Sequence, residues 1–198
     1  METLSNVPLI LRNGPEAFAA LGPEKNGGPK LYCVSGHVRR PGVYEASMNI
    51  TLRELIEDRA GGVRDGRTLK AVIPGGSSVP FLLPNQLDTQ MSFDGVQKSG
   101  SLLGSAGLIV LDDTTCMVWL AANLLHFYKH ESCGKCTPCR EGTDWLHKLL
   151  MKIESGQGEM GDIDLLGSLA GNIGGKTLCA FGDAAVTPVV TGIKNFRH

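Results

Sequence analysis

Three cysteines fall within seven residues, as Cys133-Gly134-Lys135-Cys136-Thr137-Pro138-Cys139. This is a C-x2-C-x2-C run, and its two-residue spacers let one tight loop aim three thiolates at a single point. A cubane iron–sulfur cluster takes one thiolate per iron, each at a different corner, so a wrapping loop can supply three. Gly134 lets the backbone approach closely, and Pro138 fixes one dihedral of the wrap. The fourth thiolate must come from elsewhere. In the two-cluster ferredoxin run the next cysteine stands four positions on, and here that position is Thr143. The remaining candidate is Cys179, 40 positions after Cys139, just beyond Gly174-Gly175. A four-cysteine zinc site is the rival reading. It usually uses two separated C-x2-C knuckles, so a third cysteine at the same spacing favours a [4Fe-4S] cluster. Unmetallated thiols are the remaining alternative.

The neighbourhood suits a cluster. Lys129, His130, Lys135 and Arg140 add positive charge beside the run. A helix over about 141–154 is expected to begin directly after Cys139 and to point its free N–H groups at the sulfurs. Both effects favour the more negative, reduced state. Other features carry less. Gly171 to Thr177 imitates a phosphate-binding loop, but Ala170 stands where that motif needs glycine, and a turn delivering Cys179 is the better reading. Pro74-Gly75-Gly76 reads as a strand-ending turn rather than an anion nest. His37 and His147 show no catalytic partner and read as surface or capping residues. Trp119, Phe127 and Trp145 are expected in the core, and Cys33 and Cys116 as buried free thiols.

Three regions must position these residues. Residues 1–29 read as irregular, with one short helix around 16–21, ending at the Gly27-Gly28-Pro29 breaker. Residues 30–112 read as a small α+β domain. Its strands lie near 31–34 and 69–73, with a strand–turn–strand over 38–44 and a last strand at 108–111. A helix over 52–59 is capped by Thr51, with Glu54 at its third position. Residues 113–198 read as helical. A nearly all-apolar helix capped at Asp113, Thr114 or Thr115 is followed by helices over 141–154 and 163–170. A fourth begins near Asp183 with Pro188 in its first turns.

Composition bounds the function. Hydrophobic residues are 42% and charged residues 20%, a globular balance. The net charge of -1 offers no basic excess for nucleic acid. The 26 glycines point to many tight turns. No apolar stretch is long enough to span a bilayer, and no basic-then-apolar leader opens the chain, so neither membrane insertion nor export is expected.

The stretch from Glu131 through Cys133, Cys136 and Cys139 to Thr143 resembles one family, the NADH-binding flavoprotein subunit of respiratory complex I. Related NAD-linked hydrogenases and formate dehydrogenases share it. Ser35-Gly36-His37-Val38, Arg40-Pro41-Gly42-Val43-Tyr44 and Thr177-Leu178-Cys179-Ala180 with Gly182-Asp183 match as well. The resemblance implies an α+β chain in which a ubiquitin-like β-grasp domain, of the soluble-ligand-binding (SLBB) type, precedes an all-α bundle. That bundle would hold a [4Fe-4S] cluster on Cys133, Cys136, Cys139 and Cys179 and accept electrons from reduced FMN. It places Thr3, Ala180 and Phe181 near FMN. It also implies that residues 1–29 are the end of an FMN-binding half absent here, so that FMN and NAD bind only when that half is supplied. The chain then reads as a natural split, a truncation or a cloned fragment. The implied partners are complex I peripheral-arm subunits, above all the [2Fe-2S] flavoprotein partner, and a chain carrying the FMN-binding half. The implied location is peripheral, on the cytoplasmic face of the bacterial inner membrane or the matrix side of the mitochondrial one.

Overall fold

A computed structural model describes residues 1–197. The chain divides into two compact units. The first comprises Met1–Gly76 and Leu82–Asp113, and the second comprises Ser77–Phe81 and the chain from Thr114 onward.

The first unit opens with three short helices, α1 (Glu2–Ser5), α2 (Val7–Asn13) and α3 (Pro15–Ala19). They replace most of the irregular structure expected over 1–29. Pro8 and Pro15 sit in first turns, where a missing donor costs nothing. None of the three buries a residue, and Leu11 is 82% exposed. Glu2 on α1 accepts a hydrogen bond from Lys30 Nζ at 2.9 Å.

The sheet follows. Strands β1 (Pro29–Gly36), β2 (Gly42–Ser47), β3 (Leu69–Ile73) and β4 (Gly107–Asp112) lie in the order β2-β1-β4-β3. β1 pairs antiparallel with β2 and parallel with β4, and β3 pairs antiparallel with β4. A parallel pair at the centre of the sheet needs a crossover, and the chain between β1 and β4 carries the helix that makes it. That helix starts at α4 (Leu52–Glu54) and widens into a five-residue-per-bond turn over Leu55–Arg59. Thr51 Oγ1 accepts from Glu54 N at 3.2 Å and Glu54 accepts from Thr51 N at 2.8 Å, closing the expected capping box. Donation to the Glu54 carboxyl from Thr51 N and from Thr51 Oγ1, each at 2.8 Å, holds it below its usual range. Leu52, Leu55 and Ile56 are buried against Tyr32, Val34, Leu108 and Val110 of the sheet. A short helix that the sequence pattern does not signal, α5 (Phe93–Lys98), is capped by Ser92. Tyr32 reaches the preceding loop, its hydroxyl donating to Met91 O at 2.6 Å.

Two local expectations change. Val38 does not begin a hairpin with β2 but bridges to Val63, and Gly42 already belongs to β2. Cys33 is exposed, because Tyr32 and Val34 take the inward face of β1 and alternation turns Cys33 outward. His37 is not partnerless: its Nδ1 lies 2.7 Å from the buried Asp112 carboxylate, which also receives Arg64 Nε at 3.2 Å.

The second unit is a helical bundle of α6 (Met117–Glu131), α7 (Thr137–Lys152), α8 (Asp162–Ile173) and α9 (Phe181–Phe196). α6 packs on α7, α7 on α8, α8 on α9, and α9 returns to α6. Leu125, Leu146, Leu166, Ala170, Ile173 and Val189 form its core. Helix α6 is capped by Cys116, whose Sγ accepts from Trp119 N at 3.5 Å, not by Asp113, Thr114 or Thr115. Cys116 is therefore exposed rather than buried. Trp119, Phe127 and Trp145 are each about half exposed (53%, 50% and 54%), against the expectation of core positions. An all-apolar helix does not announce which stripe the bundle will cover. Pro188 lies inside α9, deeper than the expected first turns.

The tightest backbone approach in the sheet is at Gly36, with φ +82°, where an added Cβ would stand 2.3 Å from Val110 O. Gly100 has a similar φ, +83°, and open space around it. Gly36→Ala is expected to lower the urea unfolding midpoint well beyond Gly100→Ala, which carries only the left-handed cost of about 1–2 kcal/mol. Equal midpoints for the two variants would show that the close approach is not a constraint.

Candidate metal centre

The cysteine run occupies the connection between α6 and α7 and the first turn of α7. Helix α7 begins at Thr137, four residues earlier than the sequence suggests, so Cys136 is its N-cap and Cys139 its third residue. Pro138 stands in the first turn, where the helix needs no donor from it. Gly134 adopts φ +79°, a left-handed turn that reverses the loop between Cys133 and Cys136. Arg140 Nη1 donates to Gly134 O at 2.6 Å and clamps that turn.

Cys179 lies in the connection between α8 and α9. Gly174 ends α8, and Gly175 N donates to Asp183 Oδ1 at 2.7 Å. Thr177 Oγ1 donates to Cys179 O at 2.8 Å. Leu178 N donates to Cys136 Sγ at 3.4 Å, tying this loop to the cysteine run. The glycine-rich segment before Cys179 is thus the turn that delivers it. Lys176 within it donates to Asn172.

Cys133, Cys136, Cys139 and Cys179 line one cavity of about 130 Å3, together with Glu131, Ser132, Thr177, Phe181 and Gly182. On the same measure a single water needs about 10–15 Å3, so this space suits a multi-atom inorganic core. The thiols surround the cavity rather than closing on one point. Four thiolates around such a space are the donor set of a cubane cluster, one for each iron. Thr143 shows why the ferredoxin spacing does not apply: it is fully buried one turn along α7, and its hydroxyl donates to Cys139 O at 2.8 Å.

The electrostatics differ from what the sequence suggests. Lys129 is paired with Asp144 at 2.6 Å, Arg140 with Glu141 at 2.8 Å, and His130 with Glu131 at 3.0 Å. Glu131, an acidic residue that the cation-rich run obscures, is on the cavity wall. Lys135, inside the run, is exposed to solvent, and what acts on the thiols at contact distance is the N-terminus of α7 and two hydrogen bonds to sulfur, from Leu178 N and at Ser132. Burial, Lys129 and His126 hold His147 below the ordinary imidazole range. Of the three residues expected near FMN, Phe181 joins the cavity wall, Ala180 is the N-cap of α9, and Thr3 is exposed on α1 in the other unit.

Comparison with known proteins agrees with this geometry. The NADH-ubiquinone oxidoreductase-F iron-sulfur binding region matches residues 119–198, and the SLBB domain matches residues 30–110. The second F-type NADH-quinone oxidoreductase subunit of Rhizobium meliloti is 52% identical over 197 residues, covering 100% of this chain and 47% of that protein. The F-type NADH-quinone oxidoreductase subunit of Streptomyces coelicolor is 49% identical over 198 residues, covering 100% of this chain and 44% of that protein. The chain is a homologue of the F-type NADH-quinone oxidoreductase subunits. It spans about half the length of these relatives. The crystal structure of an air-oxidized NAD+-reducing [NiFe]-hydrogenase superposes on it with a TM-score of 0.87 at 34% identity, covering 100% of this chain and 33% of that one. The mixed sheet thus corresponds to the SLBB match and the helical bundle to the iron-sulfur binding-region match. Among the described residues no helix is long and apolar enough to cross a membrane.

The α6–α7 connection rests on Asp144, whose carboxylate takes Lys129 Nζ from α6 at 2.6 Å and Lys148 Nζ from α7 at 2.7 Å. Those two hydrogen bonds hold its carboxyl below the usual range. A depressed folded-state value means that the stabilisation is present above the unfolded value of about 3.9 and is lost as pH falls through the folded one. Asp144→Asn is therefore expected to be less stable than the parent at pH 7. The gap should narrow as pH falls below about 4, followed by circular dichroism in urea. A gap that stays constant from neutral to acid pH would contradict the assignment.

Proposed function

We propose that this chain is the electron-transfer part of an NADH dehydrogenase flavoprotein subunit. In this reading Cys133, Cys136, Cys139 and Cys179 hold a [4Fe-4S] cluster. The observation that carries it is the meeting of four thiols from two separate loops around one multi-atom cavity, in a homologue of the F-type subunits. A bound cluster supplies one-electron storage between a two-electron flavin and further one-electron carriers. The chain's own residues do the rest. The four thiolates fix the core, and the α7 N-terminus offsets its negative charge. Phe181 and Gly182, in the first turn of α9, line one wall of the cavity.

Residues 1–29 are assigned to the end of an FMN-binding part, residues 30–112 to the β-grasp domain and residues 113–198 to the cluster domain. Thr3, Ala180 and Phe181 are assigned to the flavin side. FMN and NAD then bind only with the remainder of the subunit. The partners are the chain carrying that part and other peripheral-arm subunits, including the [2Fe-2S] flavoprotein. The location is peripheral, on the cytoplasmic face of a bacterial inner membrane or the mitochondrial matrix side. The likeness to the hydrogenase structure favours one second reading, an equivalent subunit of an NAD-linked hydrogenase.

Ligand replacement tests the assignment. Cys179→Ser is expected to abolish the intact cluster after anaerobic reconstitution, while Cys33→Ser and Cys116→Ser keep the parent's iron and sulfide content. Loss in Cys116→Ser with retention in Cys179→Ser would overturn the ligand set. NADH:ferricyanide activity is expected only when a chain bearing the FMN-binding part is added. Turnover by this chain alone with bound FMN would overturn the division of labour.

A further inference from the structure

The loop holding the cysteine run contains a hydroxyl whose hydrogen bonds leave it one direction to donate. Ser132 follows α6 as its C-cap, and its own N–H donates to Tyr128 O at 3.0 Å, which fixes the residue to the helix end. Its Oγ accepts from Gly134 N at 3.4 Å. Gly134 itself is left-handed, at φ +79°, and carries the chain on toward Cys136. The same Oγ lies 3.3 Å from Cys139 Sγ. In a free thiol either atom could donate. A thiolate that ligates metal carries no proton, so in the loaded protein only the serine hydroxyl can supply one. Cys139 is also the most buried of the six cysteines, with 7% exposure, so the bond forms where the local dielectric is low and its effect on charge is large.

Resting on the cluster reading above, we propose that Ser132 is a positioning and potential-setting residue. Its hydroxyl donates to the Cys139 thiolate and stabilises the reduced cluster over the oxidised one. The relay runs Gly134 N–H to Ser132 Oγ, and Ser132 O–H to Cys139 Sγ. Each donor polarises the next, and the partial positive charge ends on one ligand sulfur. Reduction adds an electron to the metal core and increases the charge on its sulfurs, so a hydrogen bond to sulfur strengthens on reduction and raises the potential. Lys129, His130 and Arg140 are paired with carboxylates, and Glu131 on the cavity wall acts in the opposite direction. Lys135 is exposed, so solvent screens its charge, whereas the Ser132 hydroxyl acts at contact distance on a buried sulfur. No proton leaves the serine, and the electron comes from an external donor such as dithionite.

The test is a redox titration, followed by electron paramagnetic resonance, of reconstituted parent, Ser132→Ala and Ser132→Thr chains. Removing the hydroxyl is expected to shift the reduced-to-oxidised ratio at a fixed potential about tenfold toward the oxidised form. For a one-electron couple that is a midpoint lower by about 59 mV. Ser132→Thr, which keeps a hydroxyl, should stay near the parent. Loss of the cluster in Ser132→Ala with retention in Ser132→Thr supports the positioning part of the proposal, because Thr keeps the hydroxyl that Ala lacks. A loaded Ser132→Ala chain with an unchanged or higher midpoint overturns it. So does an equal loss or equal shift in both variants, which would assign the effect to packing. Failure of the cluster reading itself looks different: the unsubstituted chain would then contain no iron and sulfide to titrate.

Discussion

The metal centre depends on one topological constraint: two connections of a four-helix bundle must open at the same end. Helices joined by short turns run antiparallel, so the first and third connections of an up-and-down bundle share an end while the second lies opposite. Here the first carries Cys133 and Cys136 and leads directly into Cys139, and the third carries Cys179. A separation of 40 residues along the chain thereby becomes contact across one cavity, closed by the hydrogen bond from Leu178 N to Cys136 Sγ. The core of Leu125, Leu146, Leu166, Ile173 and Val189 is what holds the two loops in register. A fault in that core is therefore a fault in the ligand set.

Charge control at the site is local. Lysine and arginine side chains near the run hold the scaffold together, since Lys129 joins α6 to Asp144 and Arg140 clamps the Gly134 turn. The thiols instead face the N-terminus of α7 and short-range donors. This division has a physical reason. A paired cation contributes little field beyond its partner, whereas a helix end and an N–H or O–H aimed at sulfur act at contact distance in a partly buried site. The same loop thus separates mechanical tasks from electrostatic ones.

Much of this is legible in the sequence, and the parts that are not share a cause. The cysteine run, the Thr51–Glu54 cap and the strand at Leu69–Ile73 each depend on residues close together in the chain, and all stand where the sequence puts them. Helix α7 starts earlier than expected because a cysteine run looks like pure loop, although Pro138 is a normal first-turn residue. For Trp119, Phe127 and Trp145 residue type alone points to the core, yet which stripe of α6 or α7 is covered depends on the other helices. The outward face of Cys33 is readable from the alternation of Tyr32 and Val34. The acidic Glu131 on the cavity wall and the serine at Cys139 have no signal in spacing, since both owe their place to the end of α6 and the turn at Gly134.

On the proposed ligand set, four thiols enclose a multi-iron core and not a single ion. Mössbauer spectroscopy of the chain, reconstituted anaerobically with isotopically enriched iron and sulfide, tests this most directly. The expected result is one cubane species with tetrahedral sulfur-coordinated iron, four iron and four sulfide per chain as for any [4Fe-4S] centre, and an electron paramagnetic resonance signal on reduction. Stoichiometric zinc that resists replacement, with no bound sulfide, would contradict it.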